Sequence, residues 1–152
     1  MEIRALEESD LPQLTELFDQ YRVFYQQDSD RSAVRTFLQQ RLSRQDSVLI
    51  GAIVHDVLVG FTQLYPSYTS VGLARLWILN DLYVSADARR RGVATALMHA
   101  AQEYAEVTGA KAMVLSTAID NTQAQHVYEK LGWQRDNNYY QYELQLEGSD
   151  PE

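Results

Sequence analysis

The chain contains no cysteine, which excludes disulfides, thiolate zinc sites and a cysteine nucleophile. Long apolar runs are missing too. None approaches the roughly 18 residues a membrane-crossing helix requires, and the opening "MEIRALEESD" is too acidic and too mixed for a signal peptide. A cytoplasmic protein that does not engage membranes is the expectation. Positive charge is scarce: 13 Lys and Arg face 21 Asp and Glu, a formal net charge of -8. Generic nucleic-acid binding, which needs a broad basic face, is disfavoured, and a cationic or amine-bearing partner is favoured. Histidine is sparse as well. His55 falls in a turn, and His99 and His126 lie on helices away from the apolar stripes; with no H-x3-H spacing and no carboxylate cluster, no metal site is expected.

What is present suffices for a core. Of 152 residues, 45% are hydrophobic and 11% aromatic, so one domain over residues 1–147 is expected, with 148–152 as a frayed polar tail. "MEIRAL" alternates like a short strand. "ESDLPQLTELFDQYRVFY" supplies Asp10 as N-cap, Pro12 in the first turn and Leu14, Leu17, Phe18 and Tyr21 at helical spacing. "RSAVRTFLQQRLSR" repeats the helical pattern. "SVLIGAIV", "VLVGFTQLY" and "ARLWILNDLYV" are β-branched and aromatic runs; "HD" links the first two as a two-residue hairpin turn, which predicts an antiparallel meander. A helix from Gly92 to Gly109 follows, then "AKAMVLST" as a buried strand. "NTQAQHVYEKLGW" reads as a helix with Asn121 as N-cap, Ala124, Val127, Tyr128 and Leu131 inward and Gly132 as its stop. The strictly alternating "YYQYELQL" is expected to close the sheet. The fold class is α+β: a mixed, mostly antiparallel sheet flanked by about four helices.

One stretch runs against the charge balance. In "DARRRGVATALM" three arginines stand directly before a helix N-terminus, where the macrodipole already makes positive charge unfavourable by up to about 1 kcal/mol per contact. A bound anion resolves the conflict. Unpartnered N–H groups of the first turn, with Arg89, Arg90 and Arg91 beside them, describe a phosphate site. Gly92 and Ala94 are small enough to let backbone approach a ligand. The spacing R-x-x-G-x-A matches neither the Walker loop nor the dinucleotide fingerprint. A solvated arginine loop with an ordinary turn glycine is the plain alternative for so short a motif. Asn121 and Tyr128 are seven residues apart, close to two helical turns, so both side chains lie on one face about 10 Å apart. A helix cap and a core aromatic are the ordinary explanations, and both are compatible with a functional role.

Taken together, the strand "LWILNDLYV", the arginine loop, the next strand and the pattern N-x6-Y-x3-G-aromatic at Asn121, Tyr128, Gly132 and Trp133 resemble the GNAT superfamily of acetyl-CoA-dependent N-acetyltransferases. The resemblance covers roughly Glu2 to Leu146, and the "NDLYV" context is most similar to the diamine (spermidine/spermine) members. It implies the GNAT fold, with the sheet splayed at a wedge for the cofactor. It implies that Arg89, Arg90, Arg91, Gly92, Val93, Ala94 and Thr95 hold the CoA pyrophosphate. Pantetheine would lie along Leu82, Tyr83 and Val84, with Asn121 and Tyr128 also at the cofactor. Homodimers are common in that family.

The implied activity is acetyl transfer from acetyl-CoA to a primary amine of a small molecule, polyamine or amino-acid-like, by direct attack in a ternary complex. An ammonium of pKa about 10.4 must first lose its proton. The Leu82 N–H would stabilise the developing oxyanion and Tyr128 would protonate the leaving thiolate. The base is where the chain departs from the diamine enzymes: they carry Glu followed by Asp where this chain has Asn80 and Asp81. Asn80 cannot be a base; Asp81 is the catalytic candidate, although the period of two sends it to the opposite side of the strand from Asn80, and a water chain ending on another carboxylate or on Tyr83 is the alternative. Acetylation of a protein N-terminus or lysine, and a non-catalytic acetyl-CoA-binding regulator, are the alternatives.

Overall fold

A turn at His55 and Asp56 sets the sheet in the computed structural model, which describes residues Met1 to Glu147. Both turn residues hold positive φ, 51° and 66°, the geometry with which a two-residue hairpin matches strand twist. The turn joins β2 (Val48–Val54) to β3 (Val57–Thr69), and β3 pairs antiparallel with β4 (Ala74–Val84). β1 (Glu2–Ala5) adds antiparallel to β2, and β5 (Ala112–Val114) adds parallel to β4. The result is the mixed, mostly antiparallel sheet expected from the sequence, in the order β1-β2-β3-β4-β5.

Alternation along β2 and β3 sends apolar side chains to both faces. On one face Leu49, Leu58 and Phe61 pack with Leu14 and Phe18 of α1 (Leu11–Phe24) and with Val34 and Leu38 of α2 (Arg31–Arg44). On the other, Ile50, Ala52 and Val84 meet Val93 and Leu97 of α3 (Val93–Val107). Gly60 makes that second contact close. A Cβ at Gly60 would stand 3.0 Å from Val93 Cγ1 and 3.1 Å from the Tyr83 carbonyl, so the glycine seats the first residue of α3 on the sheet. Asp10 does stand at the N-terminus of α1, but its carboxylate makes no cap. It is gripped by Arg4 at 2.8 and 2.9 Å and accepts the Glu7 N–H. No helix of the described residues is long and apolar enough to cross a membrane.

The chain divides into two compact units, Met1–Ser116 and a second that begins at Thr117. Two expectations fail near this division. β5 is a three-residue strand with Ala112 and Val114 exposed, not a buried strand. "YYQYELQL" forms no strand: residues 139–146 carry no sheet ladder, and Tyr139, Tyr140, Tyr142 and Leu144 are 82%, 91%, 90% and 82% exposed. Alternation gives a segment two faces, whereas a strand exists only through hydrogen bonds to a neighbour. α4 (Thr122–Lys130) does form, with the Asn121 side chain accepting the Ala124 N–H at 3.2 Å. The face expected to point inward, Ala124, Val127, Tyr128 and Leu131, is only half-buried. The tail expected at 148–152 lies outside the described residues.

The connection from α1 to α2 hangs on one carboxylate. Asp19 is buried, and it accepts the Ser29 hydroxyl at 2.6 Å and the Asp30 N–H at 2.8 Å. Burial works against its charge, but the two donors, together with the positive charges of Arg31 and Arg22, outweigh burial and hold the carboxyl below the usual carboxylate range. A pKa lower in the folded chain than in the unfolded one means stability that is full above about pH 4 and lost as pH falls through the folded value. Asp19→Asn is therefore expected to cost about 1–3 kcal/mol at neutral pH and to flatten the decline of stability below about pH 4, as measured by urea melts across that range.

Candidate active site

The site begins with a register shift. Gln63 stands opposite Asp81, but the next pair is Leu64 with Leu79, so Asn80 is an extra residue on β4 and forms a β-bulge. Side chains change faces across it. Before the bulge, Trp77 donates from its indole to Thr108 and lies edge-on to Tyr104, both on the α3 side. After it, Tyr83 packs among Tyr21, Phe24 and Phe61 on the α1 side. The simple period of two, which separated Asn80 from Asp81, fails at this point: the Asn80 amide donates to Asp81 Oδ2 at 3.1 Å.

Asp81 is buried at 8% exposure and has two further donors. The Tyr21 hydroxyl donates to Oδ1 at 2.8 Å and the Gln63 amide to Oδ2 at 2.9 Å, while Gln63 accepts from the Ser47 hydroxyl at 2.8 Å. Without such partners a carboxylate this deep would be strongly disfavoured. Tyr65 senses the same region: burial first, and then the charge of Asp81, push its hydroxyl up to about 12, so it stays neutral. Sequence reading missed Gln63 and the Tyr21 contact. The available signal was a glutamine in the midst of "VLVGFTQLY", at a position the alternation assigns to the core.

β4 outruns β5. Only Leu76, Trp77 and Ile78 pair with β5, so Leu79 to Val84, including Leu82 and Tyr83, pass beyond the last β5 ladder position. The chain then turns through Ala86–Ala88, with Ala88 buried, into the arginine loop. The three arginines divide their work. Arg89 donates to the Val84 carbonyl at 3.0 Å and lies over the rings of Phe24 and Tyr83, 5.3 and 5.5 Å from their centroids, which braces the loop against α1. Arg90 and Arg91 are exposed, and Arg90 has φ 65°.

Gly92, with φ 76°, is the N-cap of α3, and no side chain caps that helix. A Cβ at Gly92 would meet nothing within 4 Å; the backbone angle calls for glycine and the space before it is open. Val93 is buried, while Ala94 and Thr95 are partly exposed on the first turn. An uncapped helix N-terminus with its first-turn amides, directly preceded by two exposed arginines, is the construction of an anion site. In the second unit, Tyr128 of α4 lies 6.3 Å from the Trp133 ring, and Asn121 is occupied as the helix cap.

Residues 11–133 match the family model of the GNAT acetyltransferases. The chain belongs to this family. This GNAT enzyme is an N-acetyltransferase by its relatives as well. It is 40% identical over 146 residues to the uncharacterised N-acetyltransferase YhfO of Bacillus subtilis, which spans 96% of this chain and 98% of that protein. A probable acetyltransferase of known structure is 42% identical, with 96% and 98% of the two chains covered and a TM-score of 0.92. An aminoglycoside N-acetyltransferase solved in complex with CoA shares the fold at 22% identity and a TM-score of 0.80, over 95% of each chain. The GNAT fold expected from the sequence is therefore the fold of this chain.

The buried network gives a direct test of its own. Asp81→Ala leaves the Gln63 amide and the Tyr21 hydroxyl without their shared acceptor, so a loss of about 1–3 kcal/mol is expected in urea unfolding.

Proposed function

We propose that this GNAT enzyme transfers an acetyl group from acetyl-CoA to the primary amine of a small molecule, polyamine or amino-acid-like, by direct attack in a ternary complex. One observation carries the reading: the run of β4 from Leu79 to Val84, paired with β3 on one edge and lying beyond the last β5 pair on the other, leads straight into an uncapped, glycine-opened helix N-terminus flanked by Arg90 and Arg91. A long ligand with a peptide-like arm and a pyrophosphate fits that sequence of features, strand edge first and anion site second. In this reading the amides from Gly92 to Thr95 receive the pyrophosphate, Arg90 and Arg91 neutralise it, and Leu82, Tyr83 and Val84 align the arm by backbone pairing. Arg89 acts as the brace that fixes the loop. When bound, acetyl-CoA supplies an activated acyl group as a thioester.

The chain's own residues then have three tasks. The Leu82 N–H stabilises negative charge on the reacting carbonyl oxygen. Asp81 accepts the proton that the ammonium must shed, with the Tyr21 hydroxyl at 2.8 Å as the relay between the buried carboxylate and the partly exposed aromatic face of α1. Tyr128 supplies the proton that the departing thiolate takes, and Asn121 contributes to cofactor binding from the helix cap. No covalent acyl-enzyme is needed, in keeping with the absence of cysteine. The net charge of -8 supports a cationic acceptor.

A second acceptor class has support from one relative. The N-alpha-acetyltransferase 30 of Schizosaccharomyces pombe is 36% identical over 63 residues, which span 41% of this chain and 42% of that protein. Thiol release from acetyl-CoA, followed with a panel of polyamines, amino acids and short peptides bearing free N-termini, separates the two. Turnover with small amines and none with peptides is expected; the reverse result assigns the peptide class. Tyr128→Phe is expected to lower turnover about 10-fold to 1000-fold with little change in acetyl-CoA affinity. Unchanged turnover removes Tyr128 from the chemistry.

A further inference from the structure

We propose that Gln63, oriented by Ser47, is a positioning residue for proton transfer: it keeps Oδ2 of Asp81 occupied, so that the proton enters and leaves at Oδ1 through Tyr21. The inference rests on the reading of Asp81 as the proton acceptor, and it adds two residues to which that reading gives no contact with either substrate.

Packing alone does not call for an amide at this position. Gln63 is buried at 0% exposure, where a polar side chain costs stability unless its donors and acceptor are met. The ladder sets it directly opposite Asp81, at the last pair before the bulge. From there its Nε2 donates to Asp81 Oδ2 at 2.9 Å, and the Asn80 amide donates to the same oxygen at 3.1 Å. A carboxylate oxygen offers about two lone-pair sites, so Oδ2 is filled. Oδ1 receives the Tyr21 hydroxyl at 2.8 Å. The two oxygens of one carboxylate thus differ: one is held by amides, and the other faces a hydroxyl that can both give and take a proton.

Proton transfer balances with this asymmetry. The ammonium gives a proton to the Tyr21 oxygen while the Tyr21 O–H proton passes to Oδ1. The nitrogen keeps the electron pair of its broken N–H bond, and Asp81 ends as a neutral acid. Oδ2 stays an acceptor throughout, so Gln63 and Asn80 need not move. All three donors to the carboxylate are neutral, so none loses a charged partner when Asp81 is protonated.

Ser47 decides which way the amide faces. Its hydroxyl donates to Gln63 Oε1 at 2.8 Å. Reversing the amide would give up that bond and turn a carbonyl oxygen toward the carboxylate. Ser47 stands immediately before β2, half-buried, and lines an open cavity with Leu49 and Pro66. A threonine methyl therefore has space there.

The test uses the full chain with acetyl-CoA, and with spermidine and L-lysine as amine probes. Gln63→Met is expected to lower kcat about 10-fold to 100-fold, and Ser47→Ala about 3-fold to 10-fold, each with the KM for acetyl-CoA unchanged. Ser47→Thr keeps the hydroxyl and is expected to match the wild type. In an Asp81→Asn background, Gln63→Met is expected to change turnover no further, because it acts through that carboxylate. A purely structural role gives equal losses in both backgrounds, and that result overturns the proposal. NMR of the Gln63 side-chain amide needs no acceptor and no turnover. Its protons are expected to resist exchange in the wild type and in Ser47→Thr, and to exchange at least about 10-fold faster in Ser47→Ala. Equal exchange in all three overturns the proposal, as does wild-type turnover in Ser47→Ala or Gln63→Met. The Ser47 pair carries the test if Gln63→Met does not fold. Full turnover in Asp81→Asn is the distinct outcome that removes the reading of Asp81 itself, and the proposal with it.

Discussion

The extra residue at Asn80 is the constraint on which the rest of the site depends. A bulge interrupts the alternation of a strand, and in β4 the interruption lets one continuous segment serve both faces of the sheet. Trp77 works against α3, while three positions after the bulge Tyr83 works against α1. Without the shift, Asp81 would face α3 and Tyr21 would have no carboxylate to meet. The bulge also falls just beyond the last β5 pair. Side-chain phase, carboxylate placement and exposed backbone thus arise from one insertion in the ladder.

Burial of Asp81 follows from the same geometry. A carboxylate inside the sheet is tolerated because a tyrosine from α1, a glutamine from β3 and the bulge asparagine all point donors at it. Two of those donors come from elements distant in sequence, so the network ties helix to sheet as well as satisfying a charge. Its reach is visible at Tyr65, whose hydroxyl is raised in part by that negative charge. The aromatic cluster of Phe18, Tyr21, Phe24 and Tyr83 roofs this polar centre, and Arg89 stacks on the outer rings.

Sequence reasoning worked where local chemistry decides the outcome. The His55-Asp56 turn, the meander, Asn121 as a cap and the arginine loop before α3 all depend on neighbours a few residues away. It failed where a particular side-chain or ladder partner, and not the local pattern, decides. Asp10 looks like the cap of α1 until Arg4 claims its carboxylate. "YYQYELQL" has every local mark of a strand, and only the presence of a neighbour determines whether it becomes one. The bulge was invisible for a related reason: nothing in "LWILNDLYV" announces which residue will be counted twice.

Gly92 has a consequence for how the free protein behaves. A helix begun by glycine with no side-chain cap forgoes roughly a few tenths of a kcal/mol that a serine or aspartate cap would contribute. Any anion that engages those amides in the folded chain, and finds no such cradle in the unfolded one, returns that energy and more through mass action. The uncapped end of α3 therefore couples occupancy to endurance, and the melting temperature of this chain becomes a reporter of what it holds.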